Sequence, residues 1–342
     1  MEIKKEEMLR ALNTVKSGLA NKTMLAQMEA IMFTGTDIIT YNDQICVLCP
    51  FETDFEAAIN HKDLLKVVNK ISTETFDMTL NENEVRIKAK GTKAGFNVVL
   101  EDEISEKLNG LIAQIPNAEN GLEWHDLPSE FMKGALLCLP AASTDQSQGV
   151  LTCLYTNGKD LLCSDNQRVS WYEMSEDLGA EFFNKATVLK EISQFDFKKF
   201  FVSDSWVNFI TDNDVIFSVR LIKGKPIDYY KKVFDGFSGG KSIELPEGLR
   251  EIIEGASVMA AEDDSTVWIS FKDGKVSSGT QSNRGWIEKD LEIKYDSEAT
   301  EFTVDASSLL QILGMPLKAV VGDKKSYFEC ENFKHVLIHK MK

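Results

Sequence analysis

Apolar and polar positions repeat one pattern three times along this chain. Each copy begins with a helix-period apolar stretch and continues with strand-period stretches that polar turns separate. The copies start at Leu64, Val188 and Leu309. A unit of about 115 residues has the size of a whole domain and is too long for a solenoid repeat. The pattern therefore predicts three tandem domains of one kind.

The segment before each copy repeats as well. Its apolar helix faces are Met8, Leu12, Val15 and Leu19, then Phe131, Met132, Ala135, Leu136 and Leu139, then Leu249, Ile252, Ile253 and Ala256. Strands are predicted over 28–33, 37–41, 44–48, 149–155 and 160–164, and hairpin turns at Asn157-Gly158 and Asp273-Gly274. Each unit is thus predicted to be an α+β domain with two helices packed on antiparallel sheets.

Two polar stretches with Pro or Gly separate the units. The first covers residues 112–121 and the second covers residues 235–241. The predicted domains are therefore residues 1–118, 119–237 and 238–342.

Composition places the chain among soluble globular proteins. It has 342 residues, of which 43% are hydrophobic and 27% charged. No apolar run approaches the length of a membrane span, and the start of the chain has no signal-peptide core. We therefore expect a cytoplasmic protein without a membrane partner. Its 6 cysteines are too sparse for a disulfide scaffold.

Candidate catalytic and metal-binding motifs are weak. The segment Gly236–Ser242 has three residues where a phosphate-binding loop needs four before the Gly-Lys pair, and an extended stretch follows it. Cys46 and Cys49 lie in a predicted strand without further ligands, and His335 and His339 lack an acidic partner. We expect no cofactor, no metal and no catalytic residue. An enzyme that uses these cysteines or this loop remains as an alternative.

Basic residues collect on the predicted helices although the net charge is −16. Lys62, Lys66 and Lys70 are four residues apart and so share one helix face, which is either a solvated face or a phosphate-binding one. The first helix of the third unit differs, because it carries three glutamates against Arg250: Glu247, Glu251 and Glu254.

Several strings give the chain a resemblance to the bacterial DNA polymerase III beta subunit, the replicative sliding clamp family. The strings are Met8–Leu12 with Leu19–Leu25, Cys163–Val169, and Ser218–Pro226 with Tyr229–Val233. The chain departs from the family pattern where Asn166-Gln167 replaces Gly-His and where His339-Lys340-Met341 replaces the Met-Pro-Met ending.

The resemblance implies a head-to-tail homodimer that closes a ring, with helices around the pore and sheets outside. It implies a non-catalytic processivity factor that encircles double-stranded DNA independently of sequence. The implied partners are DNA polymerase and a clamp loader. A monomeric processivity factor of the viral type, which binds DNA without a ring, is the alternative.

The resemblance also implies site residues. Those near DNA would be Arg10, Lys22, Lys62, Lys66, Lys70, Gln146, Lys185 and Lys190. The cleft for partner peptides would use Ser164, Asn166, Gln167, Arg168, Val169, Lys232, Val233, Leu337, Ile338 and Met341. The dimer interface would join Phe96 of one chain to Val258 and Met259 of the other.

Overall fold

Short helices alternate with antiparallel strands throughout the structure, a computed structural model. It describes residues 1–20, 26–99, 102–117, 120–227, 230–235, 240–261 and 264–340. The α-helices are α1 Lys5–Thr14, α2 His61–Lys70, α3 Asp102–Ile112, α4 Phe131–Cys138, α5 Ala186–Ile192, α6 Tyr230–Asp235, α7 Leu249–Ser257 and α8 Ala306–Leu310. Segments of 3₁₀ helix cover Val15–Gly18, Ala26–Glu29, Leu139–Ala141 and Gln146–Thr152.

All three residue ranges of the predicted domains contain strands. In residues 1–118 they are β1 Glu2–Lys4, β2 Ala30–Thr34, β3 Asp37–Tyr41, β4 Ile45–Pro50, β5 Glu56–Asn60, β6 Thr75–Asn81, β7 Glu84–Ala89 and β8 Thr92–Asn97. In residues 119–237 they are β9 His125–Asp126, β10 Cys153–Asn157, β11 Asp160–Ser164, β12 Arg168–Glu173, β13 Glu181–Lys185, β14 Phe197–Val202, β15 Trp206–Thr211 and β16 Ile216–Arg220. In residues 238–342 they are β17 Lys241–Glu244, β18 Thr266–Lys272, β19 Lys275–Ser282, β20 Gly285–Glu292, β21 Thr300–Asp305, β22 Lys318–Val321, β23 Lys325–Cys330 and β24 Phe333–Ile338.

The chain forms two compact units. Unit 1 consists of Met1–Pro128 with Thr187–Leu221, and unit 2 of Ser129–Ala186 with Ile222–Lys342. Unit 1 contains a 4-stranded sheet, β1-β6-β7-β8, and an 8-stranded sheet, β5-β2-β3-β4-β16-β15-β14-β9. Unit 2 contains an 8-stranded sheet, β13-β10-β11-β12-β24-β23-β22-β17, and a 4-stranded sheet, β20-β19-β18-β21. The predicted α+β class with antiparallel sheets is confirmed.

Each 8-stranded sheet has one ladder that joins strands of neighbouring predicted repeats. In unit 1, β4 pairs with β16, with Val47 opposite Phe217. In unit 2, β12 pairs with β24, with Ser170 opposite His335. The middle repeat therefore contributes strands to both units. The three domain boundaries drawn from the sequence stay a prediction.

The helices bury the faces that their apolar period predicts. Met8 and Leu12 of α1 and Leu64 and Val68 of α2 are all fully buried. Burying one such side chain stabilises the fold by about 1.5–3 kcal/mol. The opposite helix faces are left to polar residues, and this leaves the lysines of α2 exposed.

Some elements differ from the sequence-based expectation. Residues 149–152, predicted as strand, belong to a 3₁₀ segment that Gly149 interrupts with a φ of 56°. Helix α3, Asp102–Ile112, was not predicted from the sequence. Strand β20 was not predicted. Helix α8 begins at Ala306, ahead of Leu309, because Asp305 caps it by accepting a hydrogen bond from the Ser308 amide at 2.7 Å.

Candidate nucleic-acid interface and partner cleft

A groove of about 680 Å³ in unit 1 is lined by three elements, two of which contribute lysines. Helix α2 contributes Lys62 and Lys66, and Lys16 comes from the 3₁₀ turn after α1. Helix α5 forms the opposite wall with Thr187, Val188 and Glu191. The structure therefore brings two of the predicted DNA-binding lysines into one concave site.

Helix α2 presents its lysines because its other face is anchored. The side chain of Asn60 caps the helix by accepting a hydrogen bond from the Asp63 amide at 3.2 Å. The His61 ring is 2% exposed, and its Nε2 atom lies 3.0 Å from the Leu12 carbonyl oxygen, which ties α2 to α1. Burial lowers the pKa of His61, and the charges of Lys16 and Lys62 lower it further. A neutral His61 therefore supports the groove at neutral pH.

Lys66 forms an ion pair with Asp63 at 3.2 Å, but both side chains are largely exposed, so the pair contributes little. Lys70 is exposed at the end of α2, and Lys190 is exposed on α5. Both are near the groove in sequence, although neither lines it.

Arg10 lies elsewhere. It lines a second concavity of unit 1, of about 780 Å³, together with Asp196 and Asp212. Lys22 lies outside the described residues. The structure thus separates Arg10 from the α2 lysines and leaves the predicted contact of Lys22 untested.

The remaining predicted DNA-binding pair lies in unit 2. The Lys185 Nζ atom is 3.4 Å from Oε1 of Gln146, so the structure brings these two predicted residues together. Lys185 is the last residue of β13. The prediction that it belongs to a helix is therefore wrong. The strand continues to Lys185 because its backbone still pairs with Cys153 of β10.

The first helix of the third repeat offers no comparable basic face. Its Arg250 donates hydrogen bonds to the carbonyl oxygens of Leu310 and Leu313, both at 2.7 Å, and pairs with Glu254 at 3.0 Å. Arg250 therefore binds carbonyl oxygens at and just beyond the end of α8. Glu247 and Glu251 are exposed on the same helix region.

Residues predicted for the partner cleft lie around the β12–β24 joint of unit 2. Its turn is rigid, because Asp165 Oδ1 accepts the amides of Gln167 and Arg168, both at 3.0 Å. Arg168 pairs with Asp165 at 2.9 Å and donates a hydrogen bond to Gln311 at 2.6 Å. The buried Ser164 hydroxyl donates to the Arg168 carbonyl at 2.9 Å. These three cleft residues, Ser164, Gln167 and Arg168, therefore shape the turn.

Asn166, at the tip of this turn, has a φ of 68°. Glycine is the default residue in that left-handed conformation, and asparagine is the side chain that tolerates it best. Asn166 is therefore suited to this position of the turn.

Apolar cleft residues meet next to the turn. Val169 and Val233 belong to one hydrophobic cluster of unit 2, and Lys325 on β23 donates to the Val233 carbonyl at 3.0 Å. Ile338 is 41% exposed, and its amide donates to the Gln167 carbonyl at 2.9 Å. Lys232 is exposed beside Val233, whereas Leu337 is buried in the core. Met341 lies outside the described residues.

The corresponding joint of unit 1 is closed. There Arg220 occupies the position that Ile338 has in unit 2. Its amide donates to the Gln44 carbonyl at 2.9 Å, as that of Ile338 does to Gln167, and the neighbouring turn contains Asp43 with a φ of 64°. The Arg220 guanidinium lies 4.6 Å from the Trp206 ring centroid and donates to the Asp43 carbonyl. The exposed apolar end of β24 is therefore a feature of unit 2 that its internal counterpart lacks.

An aromatic cluster holds the short helix α6 in place behind the cleft. Asp160 accepts hydrogen bonds from Trp171 Nε1 at 2.8 Å and from the Tyr230 hydroxyl at 2.5 Å. The Phe234 ring lies 5.3 Å from Trp171 and 5.9 Å from Tyr327. Because α6 carries Lys232 and Val233, this cluster positions one wall of the cleft.

Solved structures with the same architecture are bacterial replication proteins. The DNA polymerase III subunit beta from Pseudomonas aeruginosa superposes with a TM-score of 0.83 at 13% identity, over 100% of both chains. The DNA polymerase III beta chain from Streptococcus pneumoniae gives 0.82 at 17% identity, over 100% of this chain and 99% of the other. The DNA polymerase sliding clamp from Bacillus subtilis gives 0.81 at 15% identity, over 100% and 98%.

The chain has the sliding-clamp fold. The resemblance seen in the sequence is thus confirmed at the level of the fold, across the whole length of the chain. No family model matches the chain, and no curated protein matches it.

In this clamp-fold chain the predicted dimer residues lie near two sheet edges. Strand β8, with Phe96, and strand β20 are edge strands of the two 4-stranded sheets. Phe96 is only 9% exposed, whereas Val258 is 67% exposed. Met259 lies at the β19–β20 turn. Its carbonyl accepts a hydrogen bond from the Ser282 hydroxyl of β19 at 2.7 Å, and a Cβ at Gly285 of β20 would lie 3.1 Å from its Cε atom. Sequence reasoning missed Trp286 on β20, which is 71% exposed. A usable signal for that strand was the alternation of the apolar Ile287 and Leu291 with the acidic Glu288, Asp290 and Glu292.

The weak chemical motifs occupy structural positions. Cys46 and Cys49 are both buried in β4, and residues three apart on a strand point to opposite faces. Lys241 and Ser242 of the glycine-rich segment lie in β17, while residues 236–239 lie outside the described part of the chain. Among described residues, no group of three or more His, Cys, Asp or Glu side chains is placed to hold a metal ion. Within the same residues, no helix is long and apolar enough to cross a membrane.

Proposed function

We propose that this protein is a DNA sliding clamp, a non-catalytic processivity factor that encircles duplex DNA and tethers a replicative DNA polymerase. The observation that carries the proposal is the match of the whole chain to bacterial sliding clamps at TM-scores of 0.81–0.83. The basic groove between α2 and α5 supports it, because phosphate contacts by lysines are independent of sequence.

A head-to-tail dimer would close the ring. Edge strands carry unpaired backbone groups that can pair with another chain, and both β8 and β20 are such strands. Their charges are complementary, since Lys88 and Lys93 lie on β7 and β8 while Glu288 and Glu292 lie on β20. The exposed Val258 and Trp286 would supply the apolar part of the interface.

A ring is also compatible with the acidic composition of the chain. A protein that holds DNA topologically needs no tight electrostatic grip, so a net charge of −16 does not exclude it. We propose that a clamp loader places the ring on DNA in the cytoplasm and that the β12–β24 cleft binds the polymerase.

The decisive experiment combines mass and topology. Light scattering should give twice the chain mass of 38.4 kDa. After loading on nicked circular DNA, the protein should stay bound through a high-salt wash and should leave when the circle is cut. A monomer that binds linear and circular DNA alike, with a steep salt dependence, would instead establish the monomeric, viral-type processivity factor.

A further inference from the structure

A carboxylate stands in the wall of the basic groove. Glu191, on the last turn of α5, lines the groove together with Lys62 and Lys66 of α2. Lys16 completes the charged lining from the third side. A site built only to bind phosphate would not need an anion at this position, so Glu191 calls for an explanation.

The charges of the groove act on one another. Burial, the larger effect, raises the pKa of Glu191, and the positive charge of Lys16 opposes that rise. Lys16 and Lys62 both lower the pKa of His61 in the groove floor. Neither Lys16 nor Lys62 forms an ion pair with any described residue, Glu191 included, whereas Lys66 is paired with Asp63. The exposed Lys190 precedes Glu191 on α5.

We infer that Glu191 is a built-in competitor of DNA phosphate for Lys16, which keeps the grip of this groove weak. This inference rests on the proposed clamp function. A phosphate that enters between α2 and α5 has to share the Lys16 cation with the carboxylate. A weaker grip lets the ring move along DNA, because the ring is retained by its topology and not by affinity.

The test is a charge removal with a matched control. We compare Glu191→Gln with Glu106→Gln, an exposed glutamate on α3 of the same unit. Binding to a linear duplex of about 30 base pairs, measured by fluorescence anisotropy at several salt concentrations, should be about two- to fivefold tighter for E191Q at low salt. The slope of log K against log salt should steepen by up to about one. E106Q should bind as the wild type does.

A double mutant tests the link to Lys16. In a Lys16→Gln background the gain from E191Q should disappear, because the group that both anions compete for is gone. Lowering the pH should bring the wild type towards E191Q, since a carboxylate with a raised pKa is neutralised first. The other charged and titratable groups of the groove region, Lys16, Lys62, Lys66, Lys190 and His61, are the same in both proteins.

The outcomes separate the two proposals. If the wild type is retained on circular DNA but E191Q binds no better than E106Q, or if its gain persists in K16Q, the competitor role is wrong and the clamp function stands. If the wild type neither binds linear DNA nor stays on circles, the proposed function fails and the inference fails with it.

Discussion

His335 is a buried, uncharged imidazole at the β12–β24 joint. Its Nδ1 atom lies 2.8 Å from the Ser170 hydroxyl, and its Nε2 atom has no hydrogen-bond partner among described residues. Burial, aided by the charge of Arg168, lowers the pKa of His335 from 6.5 to about 3. The folded state therefore excludes a proton that the unfolded chain accepts below pH 6.5.

This difference makes stability depend on pH. The contribution of His335 is complete above pH 6.5 and is lost as the pH falls towards 3, by up to about 1.4 kcal/mol per pH unit. Urea unfolding at pH 7 to 4 should show a smaller slope of the unfolding free energy for His335→Gln than for the wild type. His125→Gln, at an exposed site, should keep the wild-type slope. Equal slopes for the wild type and H335Q would contradict the assignment.

At the scale of elements, helices α3 and α4 each contain one glycine. One glycine has open space beside it, and the other is in close contact with a neighbouring side chain. A Cβ at Gly110 of α3 would meet nothing within 4 Å. A Cβ at Gly134 of α4 would lie 2.4 Å from Cδ1 of the Tyr172 ring. Helix propensity alone would favour alanine at both positions by about 1 kcal/mol.

At Gly134, packing reverses the effect of alanine on the free energy of unfolding. Gly110→Ala should raise the free energy of unfolding by about 0.5–1 kcal/mol, because the alanine variant loses less backbone entropy on folding. Gly134→Ala should lower it by about 1–3 kcal/mol, because Tyr172 has to move. Thermal unfolding of both variants checks this; stabilisation by G134A would mean that α4 does not contact β12 as described.

The cleft belongs to this scale too, because strand β24 and helix α6 each contribute one exposed or half-exposed apolar residue. Ile338→Glu and Val233→Glu should abolish stimulation of the polymerase, since a charge would displace the apolar anchor of a partner peptide. The mass of the protein and its retention on circular DNA should not change. Leu122→Ser, at an exposed apolar site in unit 1, should leave all three properties intact. Loss of the dimer in I338E would show that the cleft is misplaced.

At the scale of the whole molecule, the proposed ring depends on the edge of the unit 2 sheet that ends in β20. Trp286→Ser with Val258→Glu should weaken self-association by about 30-fold or more, because a buried tryptophan anchor contributes about 2 kcal/mol or more. Light scattering should then report single chains, and retention on circular DNA should vanish while weak binding to linear DNA remains. A double variant that is still a dimer would place the interface elsewhere.

Much of this architecture could be predicted from the sequence, because it depends on local periodicity. The apolar spacing of Met8 and Leu12 predicts α1, and the alternation with turn residues around Asp273-Gly274 predicts the β18–β19 hairpin. The face shared by Lys62 and Lys66 also follows from helical spacing alone. Glycine and proline content indicated the connections between repeats.

Only the tertiary structure decided which distant residues meet. The pairing of β4 with β16 and of β12 with β24 joins residues more than a hundred positions apart, and no local pattern encodes such a partner. The same pairing leaves Ile338 exposed and covers its counterpart position with Arg220. The tertiary structure also brings Glu191 and Lys62 into the lining of one groove. Sequence periodicity predicted three similar units, two of them with basic helices, and long-range packing determined which helix and strand faces stay exposed.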